Sequence, residues 1–429
     1  MKKVFFAIVV SALVLSLASC RTDSKSTFKV LVEPELEYAY VWEFCEGRAP
    51  VMRDGKWGYI DKTGKEAIPC IFDYAEPFRD GAALVTVALD VAEEERGWTA
   101  FYGLIDTDGE PIVLVDYEYI GEFKDGLARV LQESHYGYID KTGCLIVPCK
   151  YELASDFSEG LAAVFVDNKL GYIDTAGNIA IPFDYEYMYS HDFSEGLAPV
   201  YTNDKNGFID TTGKLVIPCK YDYAGSFSGG LAAAALDGIK GRKMGYIDKD
   251  GKTAIPFDFE SADDFRHGVA LVSTGDGQGF CYIDKTGKVI ARYEDYDVLG
   301  NFNDALAPVC KGGKWGFIDT KGELAIAYDY EWVNGSGFID GLVMVIKDGK
   351  WGYIDKAGKV AVSFEYDALY EFVGDFASGI KGGKFGIIDK EGKEIVPFEY
   401  EFIGYINEGL AIIKEGGKWG ILELSPNRT

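Results

Sequence analysis

The sequence has little histidine. Its 429 residues contain three, His135, His191 and His267, and no two of them have the spacing of metal ligands. No serine or cysteine has a visible base partner, so nothing indicates a nucleophilic site. A structural or surface role is the better interpretation of each histidine. The sequence therefore predicts no catalytic residues, no metal site and no cofactor.

Basic residues are also in short supply. Lys and Arg number 43 against 69 Asp and Glu, which gives a formal net charge of −26. Binding to nucleic-acid phosphates needs clustered Lys and Arg, so nucleic acid is not among the predicted partners. We interpret the acidity as a means of keeping an exported protein soluble rather than as an acidic binding surface.

Long apolar runs are missing after the N-terminus. The one at 4–17 follows two lysines and is too short for a comfortable membrane span. A basic start, a short apolar segment and small residues before a cleavage point are typical of a secretory signal. Leu17-Ala18-Ser19-Cys20 resembles the lipobox of bacterial lipoproteins, which implies cleavage before Cys20 and a diacylglycerol on its sulfur. We expect a signal peptide at 1–19 and a lipidated polar tether at 20–27; an ordinary signal peptide with an incidental cysteine is the alternative.

What the sequence does contain is one unit written many times. A clear copy is Lys56-Trp57-Gly58-Tyr59-Ile60-Asp61-Lys62-Thr63-Gly64-Lys65. The Asp of its Ile-Asp pair recurs roughly every 36 residues, a period that indicates solenoids, propellers or arrays. Ten copies keep this Asp and the eleventh has Glu423: Asp61, Asp106, Asp140, Asp174, Asp210, Asp248, Asp284, Asp319, Asp355 and Asp389. We predict about eleven units over 28–424 and a C-terminal tail at 425–429.

Each unit predicts three short strands joined by tight turns. In the copy that starts at Gly160, strand A is 161–166, strand B is 170–174 and strand C is 179–182. Strand B is apolar on both faces, as expected of a central strand, whereas the proline that ends strand C belongs on an edge. Strand B therefore lies between A and C in a three-stranded antiparallel meander, and the rest of the unit returns as a loop or short helical turn.

The recurring Trp-Gly and Asp-x-x-Gly positions are assigned structural roles. Gly64 fits the left-handed position that ends a bulged turn, and Asp61 can accept hydrogen bonds from the backbone of that turn. Gly58 lets a neighbouring backbone or ring approach strand B. Trp57 stands where other units have Leu, Asn or Met, which indicates packing with slack. The predicted structural set is Trp57, Gly58, Asp61, Gly64, Trp315, Gly316, Asp319, Trp351, Gly352, Asp355, Trp419 and Gly420.

Aromatic and cysteine side chains recur at further packing positions. A phenylalanine in the return segment, such as Phe78, is interpreted as a plug between adjacent units. Cys70, Cys149 and Cys219 follow the strand C proline, where other units have phenylalanine. That exchange favours buried thiols over disulfides, and setting Cys20 aside leaves an odd number of cysteines that cannot all pair.

The two ends of the array carry complementary parts of one unit. Phe28 and the residues after it match a strand C and its return segment, whereas 409–424 supplies strands A and B without a C. In a closed ring these parts would form the seam. Because eleven units exceed the usual four to eight propeller blades, we favour an all-β, open and twisted solenoid, with a closed propeller-like ring as the alternative.

The unit is similar to that of the bacterial WG-repeat family. The residues that carry the similarity are Lys-Trp-Gly-Tyr-Ile-Asp-Lys-Thr-Gly-Lys, then Ile-Pro, Tyr-Asp and Phe-Ser-x-Gly-Leu-Ala, and they cover nearly all of 28–424. Cys281 replaces the repeat glycine, Leu170 and Asn206 replace the Trp, and Ala327 stands where Pro is usual. The resemblance implies a β-rich, often exported surface or scaffold module and no reaction.

These observations predict a protein anchored by lipid in the bacterial cell envelope, at the outer membrane or the cell surface. We expect it to bind a protein partner along its extended surface without catalysis. The alternative is a glycan-binding module that uses exposed Tyr and Trp on one edge. A third hypothesis is an enzyme with its site in the irregular segments 87–99 or 275–280, and a pocket that gathers two acids with a histidine would support it.

Overall fold

The computed structural model describes residues 28–88, 100–186, 192–236, 243–274 and 279–424. Within these ranges the chain is almost entirely β, with one turn of 3₁₀ helix at Tyr293–Asp295. The described strands form ten antiparallel sheets, nine of four strands and one of seven, and none of them closes into a barrel on itself. The predicted all-β array of small antiparallel sheets is confirmed.

Each repeat contributes one sheet, numbered here along the chain. Sheet 1 contains β2 (Tyr40–Val41), β3 (Arg48–Arg53), β4 (Lys56–Asp61) and β5 (Glu66–Phe72), and sheet 2 contains β6 (Tyr74–Ala75), β7 (Ala83–Ala88), β8 (Ala100–Ile105) and β9 (Pro111–Tyr117). Sheet 3 contains β10 (Tyr119–Lys124), β11 (Leu127–Gln132), β12 (His135–Asp140) and β13 (Leu145–Tyr151), and sheet 4 contains β14 (Leu153–Ala154), β15 (Leu161–Val166), β16 (Lys169–Asp174) and β17 (Ile179–Glu186). Sheet 5 contains β18 (Leu197–Thr202), β19 (Lys205–Asp210) and β20 (Leu215–Tyr221), and sheet 6 contains β21 (Tyr223–Ala224), β22 (Leu231–Leu236), β23 (Lys243–Asp248) and β24 (Thr253–Phe259). Sheet 7 contains β25 (Ser261–Ala262), β26 (Val269–Ser273), β27 (Phe280–Asp284) and β28 (Val289–Arg292), and sheet 8 contains β29 (Val298–Leu299), β30 (Leu306–Lys311), β31 (Lys314–Asp319) and β32 (Leu324–Tyr330). Sheet 9 contains β33 (Trp332–Val333), β34 (Leu342–Lys347), β35 (Lys350–Asp355) and β36 (Val360–Tyr366), and sheet 10 contains β37 (Ala368–Leu369), β38 (Phe376–Lys381), β39 (Lys384–Asp389) and β40 (Glu394–Tyr400). Sheet 11 contains β41 (Phe402–Asn407), β42 (Leu410–Glu415), β43 (Lys418–Leu424) and β1 (Phe28–Leu36). Sheets 4 and 5 join into the seven-stranded sheet because β17 also pairs with β18.

Most sheets gain a short fourth strand, D, from the return segment that we expected to be a loop or helical turn. The strand order is D-A-B-C, and strand B lies between A and C as predicted. Strand C of one unit leads into strand D of the next through a single residue, Asp73 in the first case. The amides of Asp73 and Glu76 donate to Thr86 and Leu84 of the next strand A, both at 2.9 Å. Strand D thus satisfies an edge of strand A that would otherwise present unpaired backbone groups.

A bulge in strand C explains the glycine of the Trp-Gly pair. Trp57 pairs with Phe72 and Tyr59 with Ile68, so two steps along strand B oppose four along strand C. A Cβ on Gly58 would lie 2.6 Å from backbone atoms of Ile68, Pro69 and Cys70. Glycine is therefore required because the bulged backbone lies directly against strand B.

Sheet 7 departs from this arrangement where the sequence does. Cys281 occupies the glycine position, no proline follows, and Cys281 pairs with Arg292 and Tyr282 with Ala291 without a shift between them. A side chain at position 281 is accommodated because the bulge is missing. Strand C of this unit is also short, and the 3₁₀ turn follows it.

The core lies between neighbouring sheets. Tyr59 and Ile68 of sheet 1 pack with Phe78, Val85 and Ile105 of sheet 2 in one buried cluster. The rings of Tyr59 and Phe78 are 4.8 Å apart, and the Tyr59 hydroxyl donates to the Glu76 carbonyl at 2.7 Å. Equivalent ring pairs join later sheets: Tyr138–Phe157, Tyr172–Phe193, Phe208–Phe227, Tyr246–Phe265, Tyr282–Phe302, Phe317–Phe338 and Tyr353–Phe372. These phenylalanines act as the plugs that the sequence pattern indicated.

The first strand of the chain completes the last sheet. β1 pairs antiparallel with β43, from Phe28 opposite Leu424 to Leu36 opposite Trp419. It takes the place of a strand C, because a Cβ on Gly420 would lie 2.7 Å from the Val32 carbonyl oxygen, as under the other bulges. The complementary end segments thus form one sheet. Successive sheets stack on one another, as in the predicted solenoid. Because β1 belongs to sheet 11 and leads into sheet 1, the first and last sheets also meet at this seam, which is the contact that the closed-ring alternative requires.

The seam is built like the internal junctions. At the corner between strands D and A, a carboxylate of one sheet accepts a hydrogen bond from a glycine amide of the next. Glu46 accepts from Gly81 at 2.8 Å and Asp125 accepts from Gly160 at 2.9 Å. Across the seam, Glu408 of sheet 11 accepts from the Gly47 amide of sheet 1 at 2.9 Å. Ile412 and Ile421 also share a buried cluster with residues of sheet 1.

The repeated Asp organises the turn between strands B and C. The Asp61 Oδ1 atom accepts from the Thr63 amide at 2.8 Å, the Thr63 hydroxyl at 2.6 Å and the Lys65 amide at 3.2 Å. Gly64 in the same turn has φ +80°, a conformation that favours glycine. Asp319 and Asp355 accept amide hydrogen bonds in the same way, from Lys321 at 2.8 Å and Ala357 at 2.9 Å.

These turns predict acid sensitivity. The hydroxyls of Thr142 and Thr212, with backbone amides, hold the pKa of Asp140 and Asp210 below the ordinary value. A pKa that is lower in the folded than in the unfolded state stabilises the fold above the unfolded value, about 3.9, and that stabilisation is lost as pH falls through the folded value. We expect the melting temperature to fall below about pH 4, and to fall less steeply in an Asp140→Asn/Asp210→Asn variant. Asp54→Asn, in a turn between A and B, is the control; an equal slope in all three proteins would contradict the prediction.

No disulfide joins any two of the seven cysteines in the described ranges; Cys281 and Cys310 are buried, Cys144 is exposed, and Cys45 is half-buried, as are Cys70, Cys149 and Cys219, which we expected to be buried. In the same ranges, no helix combines the length and apolar character needed to cross a membrane. The predicted signal peptide, the tether with Cys20, the tail at 425–429 and His191 lie outside the described residues. So do most of 87–99 and the segment 275–278.

Candidate binding surface and groove

The strands of each sheet end at two opposite sides, and these sides differ in character. The side with the turns between strands A and B is called here the turn edge. The opposite edge carries the turns between B and C and the corners between D and A, and is called the corner edge. The first residue of strand D and the Trp of the Trp-Gly pair both lie toward the turn edge, because Tyr40 pairs with Met52 and Met52 with Trp57.

Aromatic rings meet at these two positions. Tyr40 and Trp57 stack at 6.4 Å in sheet 1, Phe402 and Trp419 meet at 6.0 Å in sheet 11, and Trp332 and Trp351 meet at 5.0 Å in sheet 9. The burial differs within each pair in sheets 1 and 11. Tyr40 is 56% exposed over Trp57 at 6%, and Phe402 is 38% exposed over Trp419 at 7%. An exposed ring is thus supported by a buried one.

Ring contacts also join sheet 10 to sheet 11 and sheet 1 to sheet 2. Tyr370 stacks on Phe385 at 6.3 Å, and Phe385 contacts Phe402 at 5.4 Å. On the other side of the seam, Trp42 contacts Trp57 at 4.9 Å and Tyr74 at 6.3 Å. We name the aromatic arc by its eight rings: Tyr370, Phe385, Phe402, Trp419, Tyr40, Trp57, Trp42 and Tyr74.

A hydrogen bond links the two parts of the arc across the seam. The Trp419 indole nitrogen donates to the Tyr38 carbonyl at 2.9 Å, which ties sheet 11 to the segment that leads into sheet 1. Cationic side chains cover neighbouring rings: Lys414 Nζ lies 4.5 Å from the centre of Trp419, and the Arg53 guanidinium lies 4.5 Å from that of Tyr38. Such cation–π contacts stabilise the rings that they cover.

Sheets 4 to 6 differ at the same repeat position. Leu170, Asn206 and Met244 replace the Trp, and the Asn206 side chain is buried and donates to the Tyr221 carbonyl at 3.3 Å. Trp315 and Trp351 are half-buried. A Cβ on Gly316 or Gly352 would lie 2.5 Å from the Ile326 carbonyl oxygen or 2.6 Å from the Phe364 ring, respectively. The packing is equally tight at Gly58, Gly316 and Gly352, and the Trp position varies around the molecule.

A polar groove lies between sheets 7 and 8. Its volume is about 580 Å³, and its polar lining consists of Tyr223, Asp263, Asp264, Arg266, His267, Asn301 and Asn303. Burial and the neighbouring Asp263 raise the pKa of Asp264, against the opposing effect of Arg266. Two acids and a histidine are gathered here, the combination that the enzyme hypothesis asked for. In contrast, His135 is exposed, with its Nδ1 atom 2.9 Å from the Glu133 carbonyl oxygen.

Sequence reasoning did not find this groove, although one signal was present. The same unit carries Cys281 in place of the glycine and lacks the strand C proline. Within the described residues, no group of three or more His, Cys, Asp or Glu side chains is arranged to hold a metal ion. The carboxylates of Asp106 and Asp248 are taken up by their own turns, since each accepts two amide hydrogen bonds.

The repeat profile described as "WG containing repeat" matches the chain eleven times. The matched residues are 25–57, 57–87, 102–134, 136–169, 171–205, 207–238, 244–277, 282–315, 315–351, 351–384 and 385–419. The chain belongs to the WG-containing repeat family. The predicted resemblance to WG repeats is confirmed over most of 28–424.

Other comparisons of this WG-repeat protein are distant. No curated protein matches it in sequence. Similar solved structures include a eukaryotic initiation factor, with 12% identity, a TM-score of 0.41 and coverage of 68% of this chain and 92% of that one. They also include the extracellular domain of a protein described as a one-component system from B. thetaiotaomicron, with 11% identity, a TM-score of 0.23 and coverage of 91% and 71%. The tricorn protease has 15% identity, a TM-score of 0.20 and coverage of 88% and 42%.

Proposed function

We propose that this WG-repeat protein is a lipid-anchored scaffold of the bacterial cell envelope that binds a protein partner through the aromatic arc and performs no catalysis. The observation that carries the proposal is the arc itself. Four of its eight rings, Tyr40, Tyr74, Tyr370 and Phe402, are exposed, and aromatic side chains are enriched at protein interfaces. The partner is expected to offer an apolar contact surface to these rings.

The anchor and the arc are compatible in position. Phe28 pairs with Leu424 at the corner edge, so the chain reaches β1 from that side. The aromatic arc lies on the turn edge, at the other end of the strands. A tether of eight residues spans at most about 28 Å, which brings the corner edge toward the membrane and leaves the arc facing away from it.

The lack of catalysis is also part of the proposal. The groove between sheets 7 and 8 holds Asp263, Asp264 and His267, whose side chains keep much of their surface in solvent, although partial desolvation raises the pKa of the Asp264 carboxyl. Catalytic acid–base pairs depend on desolvation and on fixed mutual geometry. A binding role therefore suits the groove better than a reaction does.

A matched pair of triple variants tests the arc. Tyr40→Ser/Tyr74→Ser/Phe402→Ser removes exposed rings from the arc, and Leu153→Ser/Tyr223→Ser/Val298→Ser changes the same strand D position in sheets 4, 6 and 8. In pulldowns from detergent-solubilised envelope, we expect the first variant to recover at least about tenfold less partner, because central aromatic contacts contribute about 2 kcal/mol each. The second variant should recover as much as the unchanged protein.

Two results would contradict the proposal. Equal loss of partner in both variants would show that the arc has no special part in binding. A defined sugar bound at the arc, with no protein recovered, would instead support the glycan-binding alternative. Mass spectrometry of the mature N-terminus tests the anchor separately, since an unmodified peptide that begins elsewhere than Cys20 would rule it out.

A further inference from the structure

The groove between sheets 7 and 8 is an enlarged copy of a groove found elsewhere in the repeat. Between sheets 2 and 3 the equivalent groove measures about 330 Å³, against about 580 Å³ here. Both lie between successive segments that join strands D and A. The difference arises from residue substitutions at matched positions, which can be compared one by one.

The first substitution removes a salt bridge. Between sheets 2 and 3, Arg79 extends toward Glu122, and their side chains are 3.6 Å apart. Both residues line that groove. Arg266 matches Arg79, since each follows the plug phenylalanine, but Asn301 stands in the place of Glu122. An amide cannot form the ion pair, so Arg266 lines the larger groove with no acid at the position of Glu122.

The second set of substitutions adds polar groups. Asp264 replaces Pro77, His267 replaces Asp80, and Tyr282 replaces Leu104 on the floor. The Tyr282 hydroxyl donates to Asn301 Oδ1 at 2.8 Å, which orients the amide, and the NH₂ group of Asn301 takes no part in this hydrogen bond. In the equivalent tyrosines of other units, such as Tyr246, the hydroxyl donates to a backbone carbonyl at 2.7 Å.

One wall of the groove is aromatic. Tyr223 lines it and is 39% exposed. Its hydroxyl and the Asp264 Oδ1 atom approach the same place, since a Cβ on Gly225 would lie 3.4 Å from the first and 3.3 Å from the second. The absence of a side chain at Gly225 leaves room for both groups. The Asp264 carboxylate and the Tyr223 hydroxyl therefore both lie beside Gly225.

The composition of the groove identifies the class of ligand. Two carboxylates, a guanidinium, an imidazole and amides give both donors and acceptors with a nearly balanced charge, in a chain of net charge −26. A free cation or anion would favour one sign of charge, whereas a ligand rich in hydroxyls uses planar groups of both kinds. A volume near 580 Å³ lies in the range of small-molecule sites, about 300–1,000 Å³.

We infer that the groove between sheets 7 and 8 binds a neutral oligosaccharide. Asp264, Arg266 and Asn301 hydrogen-bond its hydroxyl groups, and the Tyr223 ring packs against a sugar face. This site is separate from the aromatic arc and does not depend on the proposed partner. No bond of the sugar is made or broken.

The test uses the full chain in detergent and an array of neutral di-, tri- and tetrasaccharides of glucose, galactose, mannose and N-acetylglucosamine. The sugar retained best is then titrated calorimetrically. Asn301→Glu restores the acid that pairs with the arginine between sheets 2 and 3, so it should close the groove and weaken binding at least about tenfold without loss of folding. Asp264→Asn should weaken it as well. Glu122→Asn, which removes the acid from the smaller groove, and the arc variant Tyr40→Ser/Tyr74→Ser/Phe402→Ser should bind like the unchanged protein.

Several outcomes would overturn the inference. The array could retain no neutral sugar, or Asn301→Glu could bind as tightly as the unchanged protein while its melting temperature is normal. Loss of sugar binding in the arc variant would place the sugar on the arc. Release of shorter sugars during incubation would show a reaction in place of simple binding. Failure of the pulldown to recover any protein, with sugar binding intact, would contradict the proposed scaffold function and still support the sugar site.

Discussion

A chain that begins at residue 37 is expected to lose about 5 kcal/mol of stability in sheet 11 relative to one that begins at residue 28. The shorter chain lacks β1, and with it the half-buried side chains of Val30, Leu31, Val32 and Leu36 and the backbone pairing with β43. Partial burial of each aliphatic side chain contributes about 1 kcal/mol, and the lost backbone hydrogen bonds contribute the rest. Because the loss falls on one repeat junction, strands β42 and β43 should exchange their amide hydrogens first.

The chain that begins at residue 28 is the matched control, since it keeps β1 and lacks only the segment before it. Calorimetry and hydrogen exchange report the stability, and small-angle scattering reports the shape. Loss of the seam should increase the radius of gyration, because sheets 11 and 1 would no longer be held together. Equal melting temperatures and equal scattering profiles for the two chains would contradict the role of β1.

Gly58→Ala is expected to destabilise the protein by about 3 kcal/mol, in the range of severe overpacking. The new Cβ would lie 2.6 Å from three backbone atoms of strand C, and backbone within a bulge cannot rotate away as a side chain would. The bulge would have to shift, and with it the pairing of Trp57 with Phe72 and of Tyr59 with Ile68. The measurement is the free energy of unfolding in denaturant.

Two control substitutions separate this contact from a general effect of removing glycine. Gly335→Ala introduces a Cβ with no atom within 4 Å and no left-handed backbone, so it should be close to neutral. Cys281→Ala retains a Cβ at the equivalent position of sheet 7, where the bulge is missing, and should cost about 1 kcal/mol for the lost sulfur contacts. A loss of stability at Gly58 no greater than at Gly335 would show that the bulge adapts.

Much of the fold could be predicted because each repeat position has a local physical cause. The turn chemistry of Asp61 and Gly64, the two apolar faces of strand B and the edge position of the proline all follow from short-range patterns. The complementary ends also followed from reading 28–32 and 409–424 as parts of one unit. Strand D was not predicted, because two residues give no alternating pattern and their pairing depends on strand A of a later segment.

The candidate sites were harder to predict because they arise from differences between copies. The aromatic arc depends on sheets 10 and 11 lying next to sheets 1 and 2, which places Tyr370 and Tyr74 on one surface although they are far apart in sequence. The groove depends on Asn301 standing where another unit has Glu122, and this exchange gains meaning only when Arg266 is known to lie across from it. Repetition predicts the framework, and the deviations need the assembled structure.

The direction in which β1 meets β43 decides how the molecule bears mechanical force. Tension applied at residue 28 pulls β1 along its own axis, so the hydrogen bonds to β43 are sheared together and share the stress. Force from a partner at the turn edge would act along the same axis in the opposite sense. If the protein is held at its N-terminus and pulled through the aromatic arc, the hydrogen bonds between β1 and β43 would therefore have to break together in shear. They would not break one after another from one end.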